Sequence, residues 1–101
     1  MIAREWKCRC PKQHTEAFLD YMHATGVTEA AGLPGYMGSQ VMLREVDGMN
    51  EVTLLTYWDS MASIQAFAGP EPDKARLYPE DAKYGIEADA VVRHYEVVGE
   101  G

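Results

Sequence analysis

From Ile2 to Pro11 polarity alternates with a period of two. Ile2, Arg4, Trp6, Cys8 and Cys10 share one face, and Ala3, Glu5, Lys7 and Arg9 share the other. This predicts a strand whose second face is mostly charged. Arg4 is the exception on the apolar face, where a charge needs a partner or a polar cavity. After Pro11 the period becomes helical. Ala17, Phe18, Tyr21, Met22 and Ala24 form an apolar stripe, opposite Lys12, Gln13, Glu16 and Asp20. The spacing predicts a helix over Lys12–Thr25 that Gly26 ends. Gly32, Pro34 and Gly35 predict a loop over Val27–Gly35, with at most one helical turn at Thr28–Ala31.

Tyr36–Val46 reads as a second strand and Glu51–Trp58 as a third, joined through Asp47-Gly48-Met49-Asn50. Asp-Gly is a strong hairpin signal, so the two strands are antiparallel. The stretch Leu54–Gly69 is the pivot of the chain. It is strand-like and aromatic up to Trp58, carries the N-cap pair Asp59-Ser60, and then places Met61, Ile64 and Phe67 at helical spacing. Gly69-Pro70 ends that helix. Residues 71–88 are polar and broken by Pro72 and Pro79, with single turns expected at Asp73–Tyr78 and Glu80–Tyr84. Ala90–Val98 reads as a last strand.

The order β-α-β-β-α-β predicts an α+β chain of ferredoxin-like plan, a four-stranded antiparallel sheet with both helices on one face. The other face then needs a second layer. A second copy of the chain is the most economical one, so a twofold homodimer is expected.

With 101 residues, a single domain spanning 1–101 is expected. A net charge of −7 weighs against nucleic acid and anionic membranes, because phosphate contacts need clustered Lys and Arg. No apolar run approaches a membrane span, and Met1–Glu5 opens no apolar leader, so a cytoplasmic protein is expected. Cys8 and Cys10 stand at i, i+2 on one strand face, a spacing that suits neither a disulfide nor a C-x-x-C site. They read as reduced thiols. Glu16, Asp20 and His23 lie on one side of the first helix but lack a fourth ligand, and read as a solvated face; no metal is expected.

The remaining chemistry is aromatic. Trp6, Tyr57, Trp58, Phe67, Tyr78 and Tyr84 are predicted to meet near the ends of the first and third strands, as the lining of a small-molecule pocket or as an aromatic core. His94 and Glu96 share a face of the last strand. That suits a general base or hydrogen-bond donor oriented by a carboxylate, or a structural His at a dimer interface.

Four segments carry a family resemblance: Trp58-Asp59-Ser60, Ile64–Gly69, Ala75–Asp81 and Val92–Val97. Together with the element order, they resemble the antibiotic biosynthesis monooxygenase family of dimeric α+β barrels. The resemblance implies a cavity between sheet and helices in each subunit. It implies oxidation of polycyclic aromatic compounds by molecular oxygen without metal or flavin in some members, and haem binding and degradation in others. It gives Trp58 a place in the pocket. Haem-degrading members use an iron-ligating His after the second helix and an Asn on the first strand. Here residues 69–89 contain no His, and the only Asn is Asn50, in the hairpin. The resemblance implies as the expected function a cofactor-independent monooxygenase, or related enzyme, acting on a small aromatic or polycyclic compound. Arg4, Trp58 and His94 are the catalytic candidates, with Arg4 stabilising an oxyanion. Trp6, Tyr57, Trp58, Phe67, Tyr78 and Tyr84 are the substrate-binding candidates. The alternative is a non-catalytic dimeric small-molecule-binding or structural module of the same fold.

Overall fold

A computed structural model describes residues 1–101. Strand β1 (Ile2–Cys10) lies centrally. It pairs antiparallel with β3 (Met49–Trp58), which pairs antiparallel with β2 (Tyr36–Val46). The fourth position is shared by two short strands, β4 (Glu87–Ala88) beside Cys8 and Arg9, and β5 (Arg93–Glu96) beside Ile2–Glu5. The sheet order β2-β3-β1-β4, with β5 also on β1, is the ferredoxin-like one expected.

The last strand is shorter than its composition predicts. Residues 73–75 run beside 90–92 and take over their pairing: Ala75 N–H donates to the Ala90 carbonyl at 3.0 Å, and Val92 N–H to that of Asp73 at 2.8 Å. The detour turns Val92 inward, where it is buried. It also leaves no turn over Asp73–Tyr78. The chain bends at Pro72-Asp73 and runs extended to Tyr78, and a 3-10 turn follows at Asp81–Tyr84.

The β2–β3 turn is tight. Asp47 and Gly48 both adopt left-handed backbone, with φ of 52° and 76°, as the two central residues of a type I′ hairpin must.

The first helix does not stop at Gly26. Helix α1 (Lys12–Met22) passes into a π-helical turn (His23–Val27) and on into α2 (Thr28–Ala31). Gly26 is buried, and a Cβ there would stand 3.7 Å from Cε2 of Tyr78. Packing of a helix against that ring outweighs the roughly 1 kcal/mol that glycine costs inside a helix. The buried stripe is Thr15, Phe18, Met22, Gly26 and Ala30, whereas Ala17 and Ala24 of the expected stripe are exposed.

The strand-to-helix switch is built as its sequence predicts. Ser60 caps α3 (Met61–Ala68) by accepting from Ser63 N–H at 3.3 Å. The Asp59 carboxylate accepts from the Ser63 hydroxyl at 2.6 Å, and this bond, then that from Ser60, holds its pKa below the ordinary value. Gly35, at φ 88°, passes so close that a Cβ would fall 2.2 Å from Ser63 Oγ. Helix α3 buries Ile64 and Phe67.

Two apolar clusters fill the space between sheet and helices. One joins Trp6, Cys8, Cys10, Phe18, Met22, Val52 and Val92; the other joins Ala30, Trp58, Ile64 and Phe67. Cys8 and Cys10 are free thiols, fully buried, and burial pushes the pKa of Cys8 up to about 12. No helix is long and apolar enough to cross a membrane.

Candidate functional site

A cavity of ≈ 50 Å³ opens where the two clusters meet. By the usual measure that is room for roughly three to five water molecules. Its floor is the helix-covered face of the sheet, Arg4 and Trp6 from β1 and Leu54 and Thr56 from β3. Alternation along the paired strands puts these four side chains on one face, in the register Arg4↔Thr56 and Trp6↔Leu54. Phe18, Met22, Thr25 and Gly26 form the roof, Phe67 one end, and Arg76, Tyr78 and Asp81 the mouth.

Arg4 is 4 % exposed. Nη1 donates to the Pro72 carbonyl and to His94 Nε2, the latter at 3.0 Å, and Nη2 to the Lys74 carbonyl at 3.4 Å. A guanidinium can only donate, so His94 Nε2 presents its lone pair and Nδ1 carries the proton. Nδ1–H then donates to Asp73 Oδ1 at 3.1 Å. His94 is thus a neutral imidazole. Its pKa lies below the ordinary value through burial, and secondarily through Arg4. The carboxylate that orients it is Asp73; Glu96, the partner that alternation suggests, is exposed.

No carboxylate stands within ion-pair distance of Arg4. Its acceptors are all neutral, and burial lowers its pKa to about 10. The cavity therefore holds a desolvated positive charge whose nearest carboxylate, Asp73, stands one imidazole away and offsets the burial only in part. Trp6 adds a second unmet demand: its indole N–H is buried and has no acceptor. Both features favour an acceptor from outside the chain.

The mouth is closed by α2. Glu29 accepts from Arg76 Nη2 through one oxygen and from the Tyr78 hydroxyl at 2.6 Å through the other. The Arg76 guanidinium lies between the rings of Phe67 and Tyr78, 5.1 and 5.6 Å from their centroids. Burial first, and Glu29 next, push the Tyr78 pKa up to about 12. Asp81 is buried at the 3-10 turn and accepts from Tyr78 N–H at 2.7 Å; burial raises its pKa.

The structure thus brings Arg4, Trp6, Phe67 and Tyr78 around one cavity, with His94 bonded to Arg4 just outside it. Three expected residues lie elsewhere. Tyr57 is on the opposite face of the sheet, bonded to Gln40 Oε1 at 2.7 Å. Tyr84 packs on Phe18 and Tyr21. Trp58 is fully buried behind the wall. It stacks on Phe67 at 5.5 Å and donates from Nε1 to Thr56 Oγ1 at 2.9 Å, so it backs two residues that do line the cavity. Arg76 and Asp81 line the cavity although neither has a site role legible in the sequence, only a place in the resemblance segment Ala75–Asp81. They sit in a polar, proline-broken stretch with no period to read. The π-helical turn that supplies Thr25 and Gly26 was hidden by the expected stop at Gly26. No group of three or more His, Cys, Asp or Glu side chains is arranged to hold a metal ion.

Gly26 gives a direct test of the roof. A methyl at Gly26 meets the Tyr78 ring at an ordinary contact distance, so the Gly26→Ala variant should fold and gain up to about 1 kcal/mol of stability. The same methyl enters the cavity wall. Its melting temperature should rise while small-molecule binding weakens, and calorimetry on both variants measures the two effects together.

No protein-family model matches the chain, and no curated protein does. Solved structures do. An MhuD variant with two manganese protoporphyrin IX molecules bound per active site is 23% identical, with a TM-score of 0.66, over 100% of this chain and 98% of that one. A Bacillus cereus protein carrying a provisional antibiotic biosynthesis monooxygenase name is 15% identical at TM-score 0.70, over 100% and 94%. A dimeric ferredoxin-like protein from an uncultured marine organism is 12% identical at TM-score 0.67, over 100% and 98%. At such identities the likeness is one of architecture: this chain has the ferredoxin-like α+β fold that these proteins share.

Proposed function

We propose that the chain is a cofactor-independent oxygenase, or a related enzyme, acting on a small aromatic compound. The observation that carries the reading is the cavity itself. Rings and apolar side chains line it, and the buried Arg4 guanidinium stands at its floor with no carboxylate in direct contact. Oxidation of an electron-rich ring by molecular oxygen develops negative charge on a substrate oxygen. A preorganised cation in a dry site stabilises such charge far better than water does. The three structural relatives support this reading at the level of fold.

At ≈ 50 Å³ the cavity is smaller than the ~150 Å³ that holds one benzene ring, so even a single-ring substrate needs Arg76 and Tyr78 to swing away from Glu29, and a polycyclic one needs a wider opening. The tetrapyrrole seen in the MhuD variant does not fit. It exceeds ≈ 50 Å³ many times over, and no imidazole lines the wall. In an oxygen-electrode assay, single-ring hydroquinones should be consumed faster with the protein than in buffer. Equal rates across a broad panel would remove the oxygenase reading and favour the second one, a non-catalytic binding module. The small cavity is the feature that favours this second reading.

The same proposal includes a homodimer through the open sheet face. That face carries Met42 and Tyr95, both close to half exposed, among Lys7, Arg9, Arg44 and Arg93. One structural relative is a dimeric ferredoxin-like protein. Light scattering at micromolar concentration should give twice the 11.3 kDa chain mass, and a mass of one chain would refute this part of the proposal.

A further inference from the structure

We propose that the cavity is a receptor for the carboxylate of a small aromatic acid, held by Arg4 and by the Trp6 indole N–H. The inference rests on the reading of this cavity as a small-molecule site, but not on any oxygen chemistry there.

A guanidinium carries five N–H groups. Both on Nη1 are used, by Pro72 and His94, and one on Nη2 by Lys74. One N–H on Nη2 and the N–H on Nε are left, and neither meets an acceptor in the chain. Nε and Nη2 share one edge of the guanidinium, the kind of edge that takes both oxygens of one carboxylate. Trp6 stands two residues along on the same strand face, so its side chain neighbours that of Arg4 over the cavity floor. It is more than nine-tenths buried, and its N–H is the one buried side-chain polar group in the chain without a partner. Three free donors around a desolvated positive charge match an acceptor-only anion with more than one oxygen. A lone carbonyl or hydroxyl would leave donors unmet.

The rest of the cavity sets the body of the ligand. Once Arg76 and Tyr78 move off Glu29 to widen the mouth, Phe18, Met22 and Leu54 offer apolar contact to a flat ring. Asp81 is the one carboxylate on the wall, and it is already engaged by Tyr78 N–H at the mouth. An anion therefore gains by lying against the floor, with its ring toward the roof.

Benzoate is the probe, with benzamide as its neutral isostere. By titration calorimetry on the full chain, benzoate should bind about tenfold or more tighter than benzamide, the preference expected when charge-assisted bonds replace neutral ones. Trp6→Phe should weaken benzoate several-fold and benzamide less, narrowing the preference between them. Arg4→Met should abolish the preference. If Arg4→Met fails to fold, a measurement on the unaltered protein decides. The chain has two indoles, and in 15N–1H spectra the Trp6 N–H resonance should move downfield with benzoate. The Trp58 N–H, already bonded to Thr56, should stay in place. Equal affinity for the two probes, or a Trp6 N–H that moves no further with benzoate than with benzamide, overturns the proposal. Benzoate preference without oxygen uptake on any compound would leave this inference standing and sink the oxygenase reading. Oxygen uptake on aromatic compounds lacking an acid, with no benzoate preference, would do the reverse.

Discussion

Trp58→Ala should lower the unfolding free energy by about 3–5 kcal/mol in urea titrations, with little change in slope. Trp58 is fully buried, stacks on Phe67, meets Tyr36 edge-on at 5.7 Å and bonds to Thr56. Truncation leaves a void that α3 cannot fill, because α3 is pinned at its start by the Ser60 cap and the Asp59–Ser63 bond. The family resemblance gives Trp58 a pocket role. In this chain it touches the pocket only through Phe67 and Thr56. Trp58→Phe separates support from chemistry. It keeps a ring against Phe67 and loses only the Nε1 bond, so it should cost about 1–3 kcal/mol and retain most small-molecule binding. A total loss of binding in a folded Trp58→Phe variant would instead give the indole a direct part in the site.

If the chain has the proposed oxygenase activity, Arg4→Met should reduce its turnover by about 10²–10³-fold, the usual effect of removing one preorganised donor to a developing oxyanion. Its structural effect should be local. The Pro72 and Lys74 carbonyls lose their donor, and segment 72–76 loses what ties it to β1. Val92 N–H, which bonds to the Asp73 carbonyl, should exchange with solvent faster. Loss of those bonds is offset in part by the relieved desolvation of a buried charge, so global stability should change less than in Trp58→Ala. His94 reports the change by NMR titration. Burial and then Arg4 depress its pKa in the native chain, so the folded state binds its proton less readily than the unfolded one. Stability from this group is present above the unfolded imidazole value and is lost as pH falls from there through the lower folded value. Without Arg4 the His94 pKa should rise, and the acid-side loss should shrink.

Where the period was strong, local chemistry and tertiary packing agreed. β1, the Asp47-Gly48 hairpin and the capped start of α3 could all be read from residue pattern, and so could Arg4 as a charge on the wrong face. Where several elements compete for one segment, the pattern failed. Gly26 looks like a stop signal but serves as the contact point for Tyr78. The Ala90–Val98 run looks like one strand, yet residues 73–75 take part of its pairing. Alternation placed His94 on the correct face but gave it Glu96 as partner, because Asp73 is distant in sequence and carries no local signal. The role of Arg76 and Asp81 at the cavity mouth is set by long-range contacts, so the resemblance segment Ala75–Asp81 marks them without giving that role.

The three Arg4 hydrogen bonds close spans of 68, 70 and 90 residues. Loop-closure entropy grows only as the logarithm of span, but contacts this non-local form late, after the local hairpin has been made. The β2–β3 hairpin and α3 can therefore assemble while the guanidinium is still hydrated. Dehydration of Arg4 becomes a closing step in folding, and refolding followed by His94 should lag behind refolding followed by Trp58 fluorescence.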